Sequence, residues 1–337
     1  MIVEGMVLRG HEFTPVEGRV IIDDGRIAAV EEAAVDSTSV ILPAFVNAHT
    51  HIGDSIAKDA GAGLSLTELV APPDGLKHRL LRTTSPERLI DGMRRTIRLM
   101  EATGTGAFMD FREGGTDGVK ALHEASSGFD LAVIALGRDD PAVIETGDGF
   151  GASGAADGEF SAERRAASAA NALFGIHAGE VDAGDINPAL DLHPDFLVHC
   201  VQARDVHLER IEDSEMPVVV CPRSNAATGV GLPPIEALAD RTIVALGTDN
   251  VMTSGPSMFR EMAFVDQISD VSPEAILRMA TVHGAEIAGL NRGVIAPGKD
   301  AALLVLDGES DNLIDSHDIV RSIVRRGSPM DIVNVIL

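Results

Sequence analysis

Residues 41–45 form an apolar run, ILPAF, that leads directly into residues 46–51, VNAHTH. Residues two apart on a β-strand point to the same face, so His49 and His51 would present their imidazoles side by side. If that face is the inside of a barrel, both rings reach one point, as a metal ion requires. Two such histidines also occur as simple decoration of a surface strand, so this pair alone does not decide between the two interpretations.

Three further strand-like runs end in residues that bind metals or move protons. The run FGIHA carries His177, and Glu180 follows it three residues later. The run FLVHC carries His199, and IVALGTD ends in Asp249. A strand-end histidine often just hydrogen-bonds the backbone, and a lone glutamate can simply start a helix. Four strand ends with suitable residues nevertheless favour one metal-centred site, because barrel enzymes keep their chemistry at the carboxyl ends of the strands.

The middle of the chain alternates between short apolar strands and helical segments, which predicts parallel βα units. One helix begins after Ser85, which can cap it, and ends near Gly104. The other predicted strands lie at 105–111, 130–136, 174–178, 195–200, 217–221 and 243–247. With the strand that ends at His51 and a poorly placed one near 142–150, the count reaches eight. We therefore expect an α/β fold built on a (β/α)₈ TIM barrel.

Both ends of the chain are rich in strand patterns. Near the N-terminus, apolar runs flank an Asp24-Gly25 turn, which indicates a hairpin. Residues 293–337 again contain strand-like runs. We expect residues 1–45 and 293–337 to form one small β-sandwich, with the barrel that carries the predicted metal site, residues 46–292, inserted between them.

The composition argues against several classes of partner. The 337 residues include 52 acidic and 27 basic side chains, a formal net charge of −25 that would repel nucleic acid and anionic membranes. No apolar run approaches the roughly 20 residues of a membrane span, and the N-terminus lacks a signal-peptide pattern. The only cysteines, Cys200 and Cys221, are predicted to be buried free thiols. We expect a cytoplasmic protein that acts on a small molecule, without a nucleic-acid or membrane partner, and leave a homo-oligomer open.

The ordered motifs resemble the amidohydrolase superfamily, and within it the deaminase and chlorohydrolase branch, with its cytosine, guanine and adenosyl-type deaminases. The matching segments extend over nearly the whole chain: 47–51 (NAHTH), 177–180 (HAGE), 198–200 (VHC), 221–225 (CPRSN), 246–249 (LGTD) and 293–301 (GVIAPGKDA). The set is highly specific for the superfamily and moderately specific for the branch.

The resemblance implies a role for each residue at the predicted site. One divalent metal, Zn²⁺ or Fe²⁺, would be bound by His49, His51, His177 and Asp249. His199 would hold the attacking water or the developing oxyanion, Glu180 would pass protons to the substrate, and Asp249 would also take the proton of the water. None of the four lysines falls at the end of a middle strand, where relatives with two metals carry a bridging modified lysine, which favours one metal.

Other polar residues also fall close to predicted strand ends. Arg112 and Arg223 are candidate substrate contacts, because a guanidinium group suits a carboxylate or a phosphate. An ion pair with a nearby carboxylate is the alternative for each. Weaker candidates for the pocket are Glu113, Arg138, Asp54 and Ser55. Two histidines outside the motifs, His78 and His283, are taken as structural. The glycine-rich residues 147–158 fit a plain flexible connection better than a lid.

We expect a metal-dependent aminohydrolase that releases ammonia from a purine or pyrimidine base or a nucleoside-like heterocycle. It would be a hydrolase of carbon–nitrogen bonds other than peptide bonds. One alternative uses the same residues on a cyclic amide or on another leaving group. The second alternative is a non-catalytic metal-binding scaffold, against which both Glu180 and His199 argue, since holding a metal needs neither. The substrate, the native metal and the oligomeric state are not predicted.

Overall fold

Every strand of the structure, a computed structural model that describes residues 1–337, belongs to one of two sheets, one of nine strands and one of six. The strands are β1 (Ile2–Arg9), β2 (Thr14–Asp23), β3 (Arg26–Glu32), β4 (Val40–Pro43), β5 (Phe45–His51), β6 (Thr105–Arg112), β7 (Ala132–Gly137), β8 (Gly149–Ala152), β9 (Leu173–Ala178), β10 (Phe196–His199), β11 (Val218–Val220), β12 (Val244–Leu246), β13 (Asp249–Asn250), β14 (Leu303–Leu306) and β15 (Ile332–Ile336).

The nine-stranded sheet is parallel and takes its strands in chain order, from β5 to β12, with β13 beside β5. β13 begins three residues after β12 ends and pairs with β5, the first strand of the series. The last part of the sheet is therefore hydrogen-bonded to its first strand. Asn47 and Thr248 join this seam: Asn47 Nδ2 donates to Thr248 Oγ1 at 2.8 Å, and the Thr248 N–H donates to Asn47 Oδ1 at 3.0 Å. Most residues of these strands are buried, as in sheets covered on both faces. The sheet is therefore TIM-barrel-like, in a mixed α/β fold.

Helices link the strands and pack against the parallel sheet. The α-helices are α1 (Leu66–Val70), α2 (Leu76–Thr83), α3 (Pro86–Ala102), α4 (Gly115–Ser126), α5 (Ser161–Ala170), α6 (Ile186–Asp191), α7 (Asp205–Asp213), α8 (Pro222–Thr228), α9 (Ile235–Ala239), α10 (Met258–Ile268), α11 (Pro273–Ala280), α12 (Val282–Ile287) and α13 (Ile319–Arg326). The predicted helix is α3: the Ser85 side chain caps it by accepting a hydrogen bond from the Arg88 N–H, and its inner face buries Met93, Ile97 and Met100. No helix combines the length and the apolar composition needed to cross a membrane.

The six-stranded sheet joins the two ends of the chain. Its order is β15-β14-β4-β1-β2-β3, and the predicted hairpin is β2–β3. One face, with Leu42 and Leu304, packs into the main core, whereas the other, with Val7 and Ile41, belongs to a separate apolar cluster. These strands pair in one sheet instead of two, so the expected β-sandwich is not confirmed. The C-terminal segment also contains helix α13, which packs against α10 and α11.

The predicted runs lie within two residues of strands in the parallel sheet, except near residue 150, and the ninth strand, β13, was not predicted. The weakly placed strand, predicted near 142–150, is β8 at Gly149–Ala152. The glycine-rich stretch 147–158 therefore contains a barrel strand, and the expectation of a plain connection there is wrong for that part. Small residues are needed because a Cβ on Gly149 would lie 2.1 Å from the carbonyl oxygen of Leu173.

Candidate metal centre

The carboxyl ends of the parallel strands bring together the residues that the sequence motifs singled out. His49 and His51 lie at the end of β5, and His177 lies near the end of β9. His199 is the last residue of β10, and Asp249 is the first residue of β13. All five are thus at the end of the sheet where TIM-barrel enzymes place their catalytic groups.

The donor atoms of these residues are close enough to share one ion. His49 Nε2 lies 3.4 Å from Asp249 Oδ1, and His51 Nε2 lies 3.4 Å from His177 Nε2. Donors at zinc distances of about 2.0–2.1 Å in a tetrahedron stand roughly 3.3–3.4 Å apart, which matches both separations. Three triplets of potential ligand atoms each lie within 4.8 Å: His49, His51 and Asp249; His49, His177 and His199; and Glu180, His199 and Asp249.

Hydrogen bonds orient two of the histidine rings toward this point. His51 Nδ1 lies 3.0 Å from the carbonyl oxygen of Phe111, and His177 Nδ1 lies 2.8 Å from that of Ala152. A carbonyl oxygen only accepts, so each Nδ1 carries the proton and each Nε2 keeps a free lone pair. Metal-binding histidines are held in this way by a partner on the other ring nitrogen.

His49 supplies the most direct test of whether the site fits a metal. Its ring is fully buried, and neither ring nitrogen forms a hydrogen bond, although Nε2 approaches Asp249 Oδ1 to 3.4 Å. Burial lowers the pKa of His49 to about 4 and that of His51 to about 3, so both rings are neutral and offer lone pairs at neutral pH. A buried polar atom without a partner costs free energy, which a bound cation would offset. The donor set therefore fits a divalent metal.

The backbone around the centre adopts conformations that ordinary strands avoid. His199 has a φ of 79° and Asp249 a φ of 56°, both in the left-handed region. Such residues cost free energy and cluster at functional sites, where they aim side chains. Gly247, just before Asp249, is also required, because a Cβ there would lie 2.7 Å from the Cβ of His49. The last barrel strand thus comes close enough for its carboxylate to reach the histidines.

Glu180 stands beside the histidines in position to exchange protons. Its Oε2 lies 3.6 Å from His199 Nε2, and its Oε1 accepts a hydrogen bond of 3.3 Å from Asn225 Nδ2. Burial raises the pKa of Glu180 above its ordinary value, which brings its protonated form closer to neutral pH. A carboxyl group in this position can both take up and release a proton near the centre.

Helix α8 delivers two side chains to the centre that were not assigned roles from the sequence. Ser224 Oγ donates to Asp249 Oδ2 at 2.5 Å, and Asn225 contacts Glu180. Both lie in the matching segment 221–225, four and five residues after β11 ends, and that segment is the signal that could have identified them. Arg223, expected as a substrate contact, instead binds the buried carboxylate of Glu261 at 3.1 Å.

A second buried polar cluster lies beside the histidines. This Lys77 cluster consists of Lys77, Asp54, Asp110, Arg112, Glu113 and Arg138. Lys77 Nζ lies 3.0 Å from Asp54 Oδ2 and 2.7 Å from Glu113 Oε1. Arg138 lies 3.3 Å from the same Glu113 oxygen. Arg112, the other expected substrate contact, pairs with Asp110 and Glu113.

The strand ends border a cavity of about 520 Å³. The members of the candidate centre that line it are His51, His177, Glu180, His199, Ser224 and Asp249. Two cations, Lys77 and Arg138, also reach its surface. The predicted pocket residues that do not line it are Arg112, Arg223, Glu113, Asp54 and Ser55. Lys77 and Arg138, and neither of the two predicted arginines, therefore lie at the surface of the cavity. Lys77 was missed because it lies on helix α2, away from every strand end.

The side chains expected to be structural have local partners. His78 and His283 each hydrogen-bond a backbone carbonyl oxygen, at 3.0 and 2.7 Å, and neither lines the cavity. Cys200 and Cys221 are buried free thiols, as predicted.

Comparison with known sequences identifies the family. The model of the amidohydrolase family matches residues 40–337. A putative aminohydrolase of Methanothermobacter thermautotrophicus is 33% identical over 100% of this chain and 97% of that protein. The 5-methylthioadenosine/S-adenosylhomocysteine deaminase of Halobacterium salinarum is 25% identical over 98% of this chain and 89% of that protein.

The fold is shared with a solved, zinc-containing structure. The crystal structure of an adenosine deaminase from Xanthomonas campestris with bound zinc superposes with a TM-score of 0.80 at 18% identity, covering 99% of this chain and 90% of that one. The resemblance predicted from the motifs is thereby confirmed. The chain belongs to the amidohydrolase family and is a hydrolase of carbon–nitrogen bonds.

Proposed function

We propose that this hydrolase is a metal-dependent aminohydrolase that deaminates a purine or pyrimidine base or a nucleoside and releases ammonia. The observation that carries the proposal is the placement of Glu180 beside His199 and the partnerless nitrogens of His49. A centre that only stored a metal would need no acid–base group at its edge. The deaminase names of several relatives support the same reaction class.

The proposed ligand set accounts for one divalent metal, Zn²⁺ or Fe²⁺. The residues that would hold it are His49, His51, His177 and Asp249. When bound, such a metal supplies Lewis acidity and lowers the pKa of water toward about 7. Lys77 does not bridge this set, because its ammonium group contacts Asp54 and Glu113.

The surrounding side chains divide the proton transfers between them. Asp249 would accept a proton from the attacking water at its carboxylate and return it to the departing amine. Glu180 would deliver its proton to the ring nitrogen of the heterocycle and recover one from the hydroxyl group of the tetrahedral adduct as the carbon–oxygen double bond forms. His199, opposite Glu180 Oε2, would hold the reacting oxygen by a hydrogen bond.

The size of the cavity agrees with a small heterocyclic substrate. Its volume of about 520 Å³ lies within the range of roughly 300–1,000 Å³ typical of small-molecule sites. The sequence has no Trp or Tyr, and no Phe lines the cavity. A bound base would therefore pack on aliphatic side chains such as Leu66 and Val70, which line the cavity.

The experiment is an ammonia-release assay on the zinc-loaded protein and on protein stripped with a chelator. The panel contains adenosine, 5-methylthioadenosine, guanine and cytosine, with inosine as a control that lacks the exocyclic amine. Release from one class of substrate that requires the metal supports the proposal. Ring opening of a cyclic amide without ammonia release would support the alternative hydrolase, and tight metal binding without any turnover would support a scaffold.

A further inference from the structure

Asn225 contacts both of the side chains proposed to handle protons and charge, although it does not itself line the cavity. It is fully buried in the first turn of α8. Its Nδ2 lies 3.3 Å from Glu180 Oε1 and 3.2 Å from His199 Nδ1. We propose that Asn225 is a positioning residue that fixes His199 in the neutral tautomer whose proton is on Nε2.

The tautomer follows from what each atom can donate. Glu180 Oε1 accepts a hydrogen bond when the carboxyl group is ionised and also when the acid proton is on Oε2, the oxygen on the side of His199. The atom of Asn225 that faces Oε1 is therefore the amide nitrogen. With the amide reversed, its oxygen would oppose the carboxylate oxygen and repel it. The second hydrogen of the same NH₂ group is shared with His199 Nδ1, which must therefore offer its lone pair. A neutral imidazole carries one proton, and that proton is then on Nε2.

This tautomer determines what His199 can do in the reaction. Its Nε2–H group faces Glu180 Oε2 across 3.6 Å, at the border of the cavity. His199 therefore presents a donor, which suits an oxygen that gains negative charge. It presents no lone pair there, so the proton of the attacking water is left to Asp249. These catalytic consequences rest on the proposed function, whereas the tautomer itself does not.

The tautomer is measurable by ¹⁵N NMR on histidine-labelled protein loaded with Zn²⁺, in which protonated and lone-pair ring nitrogens resonate far apart. His199 is assigned from the signal that disappears in His199→Gln. We expect the wild-type protein to show protonated Nε2 and lone-pair Nδ1. A protonated Nδ1 in the wild-type protein would overturn the proposal, whatever the protein's substrate proves to be.

Two variants test whether Asn225 is the cause. Asn225→Asp places a carboxyl oxygen against both Glu180 Oε1 and His199 Nδ1. Because two carboxylates at this distance cannot both ionise, they would share a proton, and the remaining lone pair would accept from His199, so we expect the proton to move to Nδ1. Asn225→Leu removes both hydrogen bonds and keeps a side chain of similar size, so we expect a mixture of the two His199 tautomers. We also expect kcat to fall about 10–100-fold, the typical contribution of residues that orient a catalytic side chain, with little change in KM. Asn291→Leu, at an exposed asparagine, is the control. An unchanged His199 spectrum in folded, zinc-loaded Asn225→Leu protein would show that Asn225 does not set the tautomer.

Discussion

Two buried polar clusters lie side by side at one end of the barrel, and they differ in whether their polar atoms find partners within the protein. In the histidine cluster, both ring nitrogens of His49 lack a hydrogen-bond partner. In the Lys77 cluster, the Asp54 oxygens also accept no hydrogen bond, but every charged group meets an opposite charge, with each cation within 3.3 Å of a carboxylate. The two clusters touch, because His51 Nδ1 lies 3.0 Å from Glu113 Oε1. Buried ring nitrogens without a partner indicate that a ligand from outside the chain binds there. Charges that pair with one another indicate instead that the cluster stabilises the fold.

The largest effect is expected from removing a proposed ligand. The wild-type protein should hold about one Zn²⁺ or Fe²⁺ per chain, measured by elemental analysis after dialysis. His177→Ala or Asp249→Ala should weaken metal binding by more than about 100-fold, because even partners of ligands contribute about 10–100-fold. His317→Ala, at an exposed histidine, should retain the metal. Two metals per chain, or unchanged occupancy in both ligand variants, would contradict the assignment.

The next largest effect separates chemistry from metal binding. Glu180→Gln keeps the size of the side chain but removes the group that carries the proton. We expect full metal content, a normal melting temperature and a turnover about 10²–10⁴-fold lower in the ammonia-release assay. Glu209→Gln, on the exposed face of α7, is the matched control and should leave turnover unchanged. Near-normal turnover of Glu180→Gln would remove Glu180 from the mechanism.

The Lys77 cluster should respond in the opposite way, through stability. Lys77→Met leaves Asp54 without any partner, since its oxygens accept no other hydrogen bond. Removing one member of a buried ion pair typically costs about 3–5 kcal/mol, which denaturant unfolding would detect. The exposed pair of Lys120 with Asp117 provides the control, because Lys120→Met should cost at most about 1 kcal/mol. Loss of metal from folded Lys77→Met protein would show that the two clusters are not separable.

The smallest expected effect is at the hydroxyl that supports Asp249. Ser224→Ala removes the 2.5 Å hydrogen bond to Asp249 Oδ2. We expect metal affinity to fall about 10-fold, the lower end for groups that orient a ligand. Competition with a chromophoric chelator measures it, and Ser214→Ala on the exposed end of α7 serves as the control. An affinity equal to that of the wild-type protein would mean that the backbone alone holds Asp249.

Sequence patterns were sufficient to predict the strands and the helix that depend on local periodicity, and the residues at the ends of those strands. His49, His51, His177 and Asp249 could be predicted to converge because each follows a buried strand, and the carboxyl ends of parallel strands meet. The Lys77 cluster could not be predicted, since it joins helix α2 to three other segments, at the ends of β5, β6 and β7, through packing alone. Strand β8 was misplaced because its glycines are a response to close neighbours and resemble a flexible loop. The hydrogen bonds of Ser224 and Asn225 likewise depend on how α8 sits on the barrel.

The seam between Asn47 and Thr248 has a consequence for the order of events during synthesis. These residues are 201 positions apart, and the proposed ligands lie on both sides of the same seam. Three of the four proposed metal-binding residues would emerge from the ribosome long before Asp249 does. The complete donor set would exist only once the last barrel strand has docked against the first. Metal capture would then mark the moment at which the barrel closes, and a chain stalled before residue 249 would be unable to retain the ion.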